Sequence, residues 1–245
     1  MLAAGLPQTD VFRYHEADPG DVMEFRLLWQ GPLRSEGGSD LGPTGRAADK
    51  QVLRKHFHRQ LRELWKLHPH LRRMTERDYV VLMPGVDPVW ERTIVPAHGS
   101  LTKHPTAKPW IEHIADDHMR LGTRFVPLVS KMGGFTCSLD ILFLRRDQPG
   151  SLVIKGGDID NRIKVLLDGL RMPDTLPEMG GIPLEAEENP FFCLLEDDAL
   201  LTRVAITTDL LITPLATQES VHDVMLVITA TVVNPSAIFA GGRLI

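Results

Sequence analysis

A short segment in the second half of the chain combines the residue types that metal-dependent phosphate chemistry needs. Positions 155–164 read KGGDIDNRIK, and Asp158 and Asp160 fall where an extended segment is predicted to meet a helix. On an extended backbone, residues two apart face the same side, so the two carboxylates can converge on one point. A helix start also favours anions. Lys164 follows Asp160 by one helical turn and can reach the same region.

A second acidic piece, EDDA at 196–199, lies directly before a predicted strand. Oxygens from Asp158, Asp160 and Asp198 would suit Mg²⁺, with Mn²⁺ as the alternative, because such ions bind a few carboxylates and keep waters for a substrate phosphate to replace. An ion held this way activates water and offsets the charge on a phosphodiester in its transition state. Taken alone, each piece is also typical of a helix cap or a solvated turn.

Taken together and in order, these pieces resemble the RusA-type Holliday junction resolvases. The resemblance is carried by DIDN at 158–161, Lys164, DGL at 168–170 and DDA at 197–199 before an apolar strand. It extends in order from Phe135 to about Val233.

The resemblance implies a homodimeric, Mg²⁺-dependent endonuclease that cuts branched DNA. Carried over by position, Asp158, Asp160 and Asp198 would be the metal-binding catalytic carboxylates, and Lys164 would be the catalytic lysine. Asp197 would be a further metal-binding position, and Asp168 also matches the motif. The alternatives are a non-catalytic DNA-binding or assembly protein on the same scaffold, and a related nuclease acting on flaps or RNA.

The chain departs from the compact members of that family in three respects. It is about twice as long, and the loop before the second acidic piece, the acidic loop at 173–196, is longer and acidic. Compact members place basic residues beside the first motif, whereas here only Lys155 adjoins it, with Arg145 and Arg146 further back. These differences bear on specificity for junctions more than on metal binding.

A basic stretch in the first half is the predicted nucleic-acid surface. Positions 46–77 contain ten basic and three acidic residues, which gives this stretch a net charge of +7 in a chain whose net charge is −5. On the predicted helix, helical spacing places four of them opposite an apolar stripe: Lys55, Arg59, Arg62 and Lys66. Lys155 joins this set from beside the first motif. An ordinary solvated helix face is the competing interpretation.

The hydrophobic pattern predicts an α+β fold, with a single RusA-like domain whose mixed β-sheet is flanked by helices and interrupted by long loop insertions. Helices are predicted at 47–67, 110–119 and 160–170, and strands at 24–29, 79–83, 93–95, 135–143 and 152–154. The segments 204–212 and 224–233 are predicted to be strands apolar enough to lie inside a sheet. Residues 1–22 form an N-terminal arm and 23–245 the nuclease domain, with insertions near 68–130 and 173–195.

Composition excludes several classes of protein. The 245 residues are 43% hydrophobic and 24% charged, which is typical of a globular chain rather than a disordered one. The two cysteines give neither a disulfide framework nor a four-ligand zinc site, and they suit a reducing, cytoplasmic setting. No signal peptide or membrane-spanning segment is predicted.

Overall fold

The computed structural model describes residues 22–35, 42–82, 93–96, 105–145, 158–212 and 222–233. The helices are α1 (Pro43–Leu67), α2 (Pro69–Glu76), α3 (Trp110–Asp117) and α4 (Asp158–Leu170). The strands are β1 (Val22–Pro32), β2 (Asp78–Leu82), β3 (Thr93–Pro96), β4 (Lys108–Pro109), β5 (Met119–Arg120), β6 (Thr123–Val129), β7 (Thr136–Arg145), β8 (Phe191–Leu195), β9 (Leu201–Leu210) and β10 (Asp223–Val233). Residues 1–21 of the predicted arm at 1–22, the predicted strand at 152–154 and Lys155 lie outside the described residues, whereas Val22 already belongs to β1.

The main sheet has four strands in the order β1-β10-β7-β9. Its strands pair antiparallel except for β7 and β9, which run parallel. Because parallel neighbours need a crossover connection, the chain passes through α4 between them. The α+β class with a mixed sheet and flanking helices is therefore confirmed.

One face of this sheet forms the core with α1 and α4. Alternate residues of β7, from Cys137 to Phe143, are buried, as the alternation in the sequence predicts. The α1 stripe of Leu53, Phe57, Leu61 and Leu64 is also buried. The predicted helix spacing thus places the apolar side of α1 against the core.

The two segments predicted as insertions contain a second sheet. Strands β6 and β8 pair in parallel, and β5 pairs with β6. All five residues of β8 are buried, and most of them join the same core as the main sheet. The sequence does not predict β6 and β8, because short, fully buried strands show no alternation between apolar and polar residues.

Strand β9 does not lie inside the sheet, and that part of the prediction is wrong. It occupies an edge, and it is exposed along both of its faces. Val204 and Ile206 are each 37% exposed. Strand β10 does lie inside the sheet, between β1 and β7. Apolar composition alone does not separate an edge strand from a central one, because it carries no information on pairing.

The opposite edge of the sheet, β1, is covered by α1. The Gln60 side chain accepts a hydrogen bond from the Leu28 amide at 2.9 Å and donates one to the Leu28 carbonyl at 2.7 Å. The ring of His56 also contacts that carbonyl, at 2.8 Å. At this residue the amide of Gln60 therefore takes the place of a neighbouring strand.

Candidate functional site

The first acidic motif opens α4, which begins at Asp158, two residues before the predicted start. The backbone from Asp158 to Asp160 is therefore helical and not extended as predicted, and residues two apart on a helix do not share a face. Asp160 and Lys164 are exposed on this helix, one turn apart and on the same side. Ile163, Leu166 and Leu170 on the opposite side are buried in the core and hold the helix against the sheet. The side chain of Asp158 lies outside the described part of the structure.

Arg162 anchors the start of α4 to one end of the main sheet. Its guanidinium is buried, donates to the Leu33 carbonyl and lies 3.3 Å from Nδ1 of His222. Leu33 and His222 flank the paired ends of β1 and β10. Because β10 runs antiparallel to β7, this is the end at which β7 finishes.

The second acidic motif forms the turn between β8 and β9. Asp197 caps a short 3-10 helix at 198–200 by accepting a hydrogen bond from the Ala199 amide, and Lys131 pairs with it at 2.9 Å. These two interactions hold the pKa of Asp197 at about 2, well below its ordinary value. Glu196 accepts from the Lys131 amide at 2.8 Å. Asp198 is the exposed member of the three acids.

The two acidic motifs stand at opposite ends of the β7-α4-β9 unit within one chain. The end of α4 meets the end of β8, where the Met172 amide donates to the Leu195 carbonyl at 3.0 Å. Leu201, which follows the acidic turn, pairs with Cys137 at the beginning of β7. With a rise of about 1.5 Å per residue, the 13-residue helix α4 is about 20 Å long. Asp160 and Asp198 are therefore not brought together by the fold of a single chain.

Within one chain, the described side chains therefore do not form a metal-binding group. No set of three or more His, Cys, Asp or Glu residues among them is placed to hold an ion. Asp160 and Asp198 each present an exposed carboxylate of the kind that Mg²⁺ prefers. The assignment of Asp158, Asp160, Asp197 and Asp198 to one metal site remains a prediction.

Asp168 has a structural environment. Its carboxylate pairs with Lys50 at 2.6 Å and with Arg171 at 3.2 Å, and its side chain is only 14% exposed. The neighbouring Gly169 faces α1, where an added Cβ would approach the Cβ of Leu53 to 2.8 Å. The DGL piece of the resemblance therefore lies where α4 and α1 pack most closely.

The predicted basic face of α1 is partly neutralised by the acidic loop. Lys55 pairs with Glu188 at 2.9 Å and with Glu185 at 3.3 Å. Partial burial disfavours the charged form of Lys55, but hydrogen bonds to these two carboxylates outweigh it and raise the pKa. Arg62 donates to the Glu187 carbonyl at 3.4 Å. Lys55 and Arg62 are therefore engaged within the chain.

The rest of the basic face is open to solvent. Arg59 is exposed on the middle of α1, and Lys66 is 56% exposed while it pairs with Glu63 at 2.6 Å. Exposed arginines continue on α2 at Arg72 and Arg73. Of the predicted nucleic-acid residues, Arg59 and Lys66 are thus the ones whose charges face solvent most directly.

The acidic loop has a second contact with α1, which was not among the predicted interactions. Arg54 is buried, donates to the Glu178 carbonyl at 2.7 Å and lies 3.4 Å from the Glu178 carboxylate. Burial lowers its pKa, although the nearby Glu178 opposes the shift. Arg54 lies one turn before His58 and next to Leu53 on the buried side of the helix, which a helical-wheel projection of the sequence would have revealed.

An apolar groove of about 310 Å³ lies between β1 and α1. Phe25, Leu27, Leu64 and Leu67 line it, together with Arg59 and Glu63. The groove holds none of the predicted metal-binding carboxylates. It adjoins the basic face of α1 rather than the acidic motifs.

No protein-family model matches the chain, and no curated protein or solved structure is significantly similar to it. The resemblance therefore rests on the sequence motifs. Among the described residues, no helix combines the length and the apolar character needed to cross a membrane.

Proposed function

We propose that this protein is a Mg²⁺-dependent, structure-specific DNA endonuclease that acts on Holliday junctions or related branched DNA. Asp158, Asp160 and Asp198 would hold the ion, with Asp198 supplied by the second copy of the homodimer because one chain keeps the two motifs apart. Lys164 would stabilise charge that develops on the phosphate. The ion would supply an activated water as the nucleophile. The protein would act as a homodimer in the cytoplasm.

The observation that supports the proposal most is the placement of the motifs on the β7-α4-β9 unit. DIDN opens α4, Lys164 is exposed one turn later, and Asp198 is exposed at the turn before β9. Asp160, Lys164 and Asp198 thus face solvent, where a DNA backbone can reach them. Asp168 and Gly169, which are not proposed to contact the ion, are used in packing instead.

A cleavage assay tests the proposal directly. Purified protein is incubated with a four-way junction, a flap, a linear duplex and a hairpin RNA, each with Mg²⁺ and with EDTA. We expect Mg²⁺-dependent cleavage of the junction or the flap. Cleavage of none of the substrates, with DNA binding intact, would favour the non-catalytic alternative, and cleavage of the RNA alone would favour the related nuclease.

Asp160→Asn is the matched variant for this assay. We expect it to abolish cleavage while junction binding survives or tightens, because it removes a negative charge near the DNA phosphates without changing side-chain size. Asp117→Asn, at the exposed end of α3, makes the same chemical change elsewhere and should cleave normally. An Asp160→Asn protein that cleaves at the parental rate would remove Asp160 from the site.

A further inference from the structure

The 185–188 turn of the acidic loop covers two residues of the predicted basic face of α1. Glu188 is buried, and its carboxylate pairs with Lys55 at 2.9 Å, while Glu185 pairs with the same ammonium at 3.3 Å. Arg62 donates to the carbonyl of Glu187. These contacts leave the side chain of Lys55 only 14% exposed. An acidic segment thus lies where a polyanion would meet this part of the helix.

The contact between this turn and α1 leaves buried polar atoms without partners. Among the described residues, Oε1 of Glu188, Nε2 of His58 and Nε of Arg62 are buried and make no hydrogen bond. His58 and Arg62 lie one and two turns along α1 from Lys55. Each such atom has lost its water without gaining a partner, which offsets part of what the ion pairs contribute. The contact therefore depends on the ion pairs of Lys55, for which another anion can compete.

The rest of the acidic loop is attached to α1 by contacts that do not involve Lys55. Gly180 has a φ of +61° and lies against the start of α1, where there is no room for a Cβ. Beyond the turn, the Phe192 amide donates to Nδ1 of His58 at 2.8 Å. Three of the four residues of the turn itself are exposed. The turn can therefore lift from Lys55 while the loop on both sides of it stays in place.

We propose that the 185–188 turn is an autoinhibitory latch, which occupies Lys55 and Arg62 until the phosphates of a nucleic acid displace it. Lifting the turn joins four cations into one basic face: Lys55, Arg59, Arg62 and Lys66. The inference rests on the proposed function, because it takes branched DNA as the displacing polyanion. It concerns the binding of DNA and requires no metal ion.

Displacement should also loosen the turn itself. The Glu185 amide donates to Oε2 of Glu188 at 2.9 Å, and the same oxygen pairs with Lys55. Once a phosphate takes Lys55, the Glu188 carboxylate is buried without a cation and is more stable in water. The binding of DNA should therefore open the hydrogen bond between Glu185 and Glu188.

Two variants of the same turn test the latch through the affinity for DNA. Glu185→Gln removes a charge that pairs with Lys55, and its amide oxygen can still accept the hydrogen bond from the Glu188 amide. Glu187→Gln removes the same charge from an exposed side chain that has no partner among the described residues. Fluorescence anisotropy measures the affinity for a four-way junction in EDTA. We expect Glu185→Gln to bind roughly threefold more tightly than Glu187→Gln, which is the size expected for the loss of one exposed ion pair.

Lys55→Gln shows whether this gain depends on the latch. In that background, Glu185→Gln and Glu187→Gln should change the affinity equally, because no ammonium remains for the turn to occupy. Circular dichroism establishes that each variant is folded. Equal affinities of Glu185→Gln and Glu187→Gln without the Lys55 substitution would overturn the proposal.

Hydrogen exchange tests the opening in the wild-type protein, without any substitution. Mass spectrometry of the peptide that contains Glu185 measures the exchange of its amide in the free protein and in the protein saturated with the junction, both in EDTA. We expect exchange in the complex to be faster on the order of tenfold. A turn that stays closed under bound DNA would exchange at the same rate or more slowly, and either result would overturn the latch. So would failure of the protein to bind the junction.

A parallel cleavage assay in Mg²⁺ separates this inference from the proposed function. Binding of the junction with faster exchange at Glu185, but without cleavage, would support the latch and contradict the proposed nuclease. Cleavage with unchanged exchange at Glu185 would contradict the latch alone.

Discussion

At the scale of single residues, the acidic side chains of the motifs differ in what they already bind. Asp197 is held by the Ala199 amide and by Lys131, and Asp168 is held by Lys50 and Arg171. Asp160 and Asp198 are exposed, and Asp198 shares a side-chain hydrogen bond with Asp197. A carboxylate that already caps a helix or pairs with a cation gives up that interaction to bind an ion. In the proposed site, Asp160 and Asp198 would therefore lose less than Asp197 on binding an ion.

Replacement of Lys164 separates transition-state stabilisation from metal binding. Its ammonium has no lone pair to offer a metal at neutral pH. If it stabilises charge on the phosphate, Lys164→Ala should lower single-turnover cleavage on the order of a hundredfold or more. Calorimetry should show metal affinity unchanged or improved, because the variant removes a nearby positive charge. Near-normal cleavage would leave Lys164 as a surface residue of α4.

His58 predicts a pH dependence of stability. Its ring is fully buried against Phe191, and its Nδ1 accepts a hydrogen bond from the Phe192 amide at 2.8 Å. Burial lowers its pKa from 6.5 to about 4. Between those values the unfolded chain binds a proton that the native chain does not, so the free energy of unfolding rises with pH.

The expected slope is about 1.4 kcal/mol per pH unit for one such histidine. Urea unfolding from pH 4.5 to pH 7.5 measures it, with His58→Asn as the variant that removes the titrating group. In that variant, the increase in the free energy of unfolding with pH should be smaller by about 1.4 kcal/mol per pH unit. His68, whose pKa burial also lowers to about 4, should account for a comparable remainder. An unchanged slope in His58→Asn would show that the ring is already accessible in the native state.

At the scale of elements, the basic residues of α1 have two different roles. Lys55 and Arg54 attach the acidic loop to the helix, whereas Arg59 and Lys66 face solvent. The acidic loop thus serves as a packing partner of α1. It reduces the charge that α1 can offer to a polyanion.

The two sets of basic residues should behave differently when they are replaced. We expect Arg59→Ala with Lys66→Ala to lower the slope of log affinity for DNA against log salt by about 1.8, since each phosphate that a basic side chain neutralises adds about 0.9 to that slope. Lys55→Ala should instead lower stability, because Glu188 is buried and would be left without its cationic partner. Fluorescence anisotropy at several salt concentrations and urea unfolding measure the two effects. A double variant with unchanged slope and affinity would make the exposed face an ordinary solvated surface.

At the scale of the whole molecule, the two acidic motifs lie at opposite ends of the β7-α4-β9 unit, so Asp160 and Asp198 would have to come from different copies of the proposed homodimer to bind one ion. A mixture of inactive variants tests this dependence. Asp160→Asn and Asp198→Asn should each be inactive alone. If each site draws Asp160 from one copy and Asp198 from the other, half of the freely exchanged dimers are mixed, and each mixed dimer has one intact site. The mixture should then recover roughly one quarter of the wild-type rate.

A site built within one chain predicts a different result for that mixture. Every chain then carries one defect in its own site, so cleavage should not recover at any mixing ratio. The control is a mixture of wild type with Asp160→Asn, in which activity should fall only in proportion to the variant. Sedimentation of the same samples shows whether exchange has taken place.

The sequence by itself determined the local features of this protein. Helical spacing of Leu53, Phe57 and Leu61 predicted the buried side of α1, and alternation from Cys137 to Phe143 predicted the central strand β7. These predictions succeed because side-chain periodicity is set by the backbone geometry of each element. The motif at 158–164 likewise predicted a helix start and placed Lys164 one turn from Asp160.

The tertiary structure alone decided which elements meet. It paired β6 with β8 from two segments predicted as insertions, placed β9 at an edge, and attached the acidic loop to α1 through Arg54 and Lys55. It also separated Asp160 from Asp198 by the length of α4. None of this is visible in local spacing, because strand order and crossover connections depend on contacts between residues far apart in the chain.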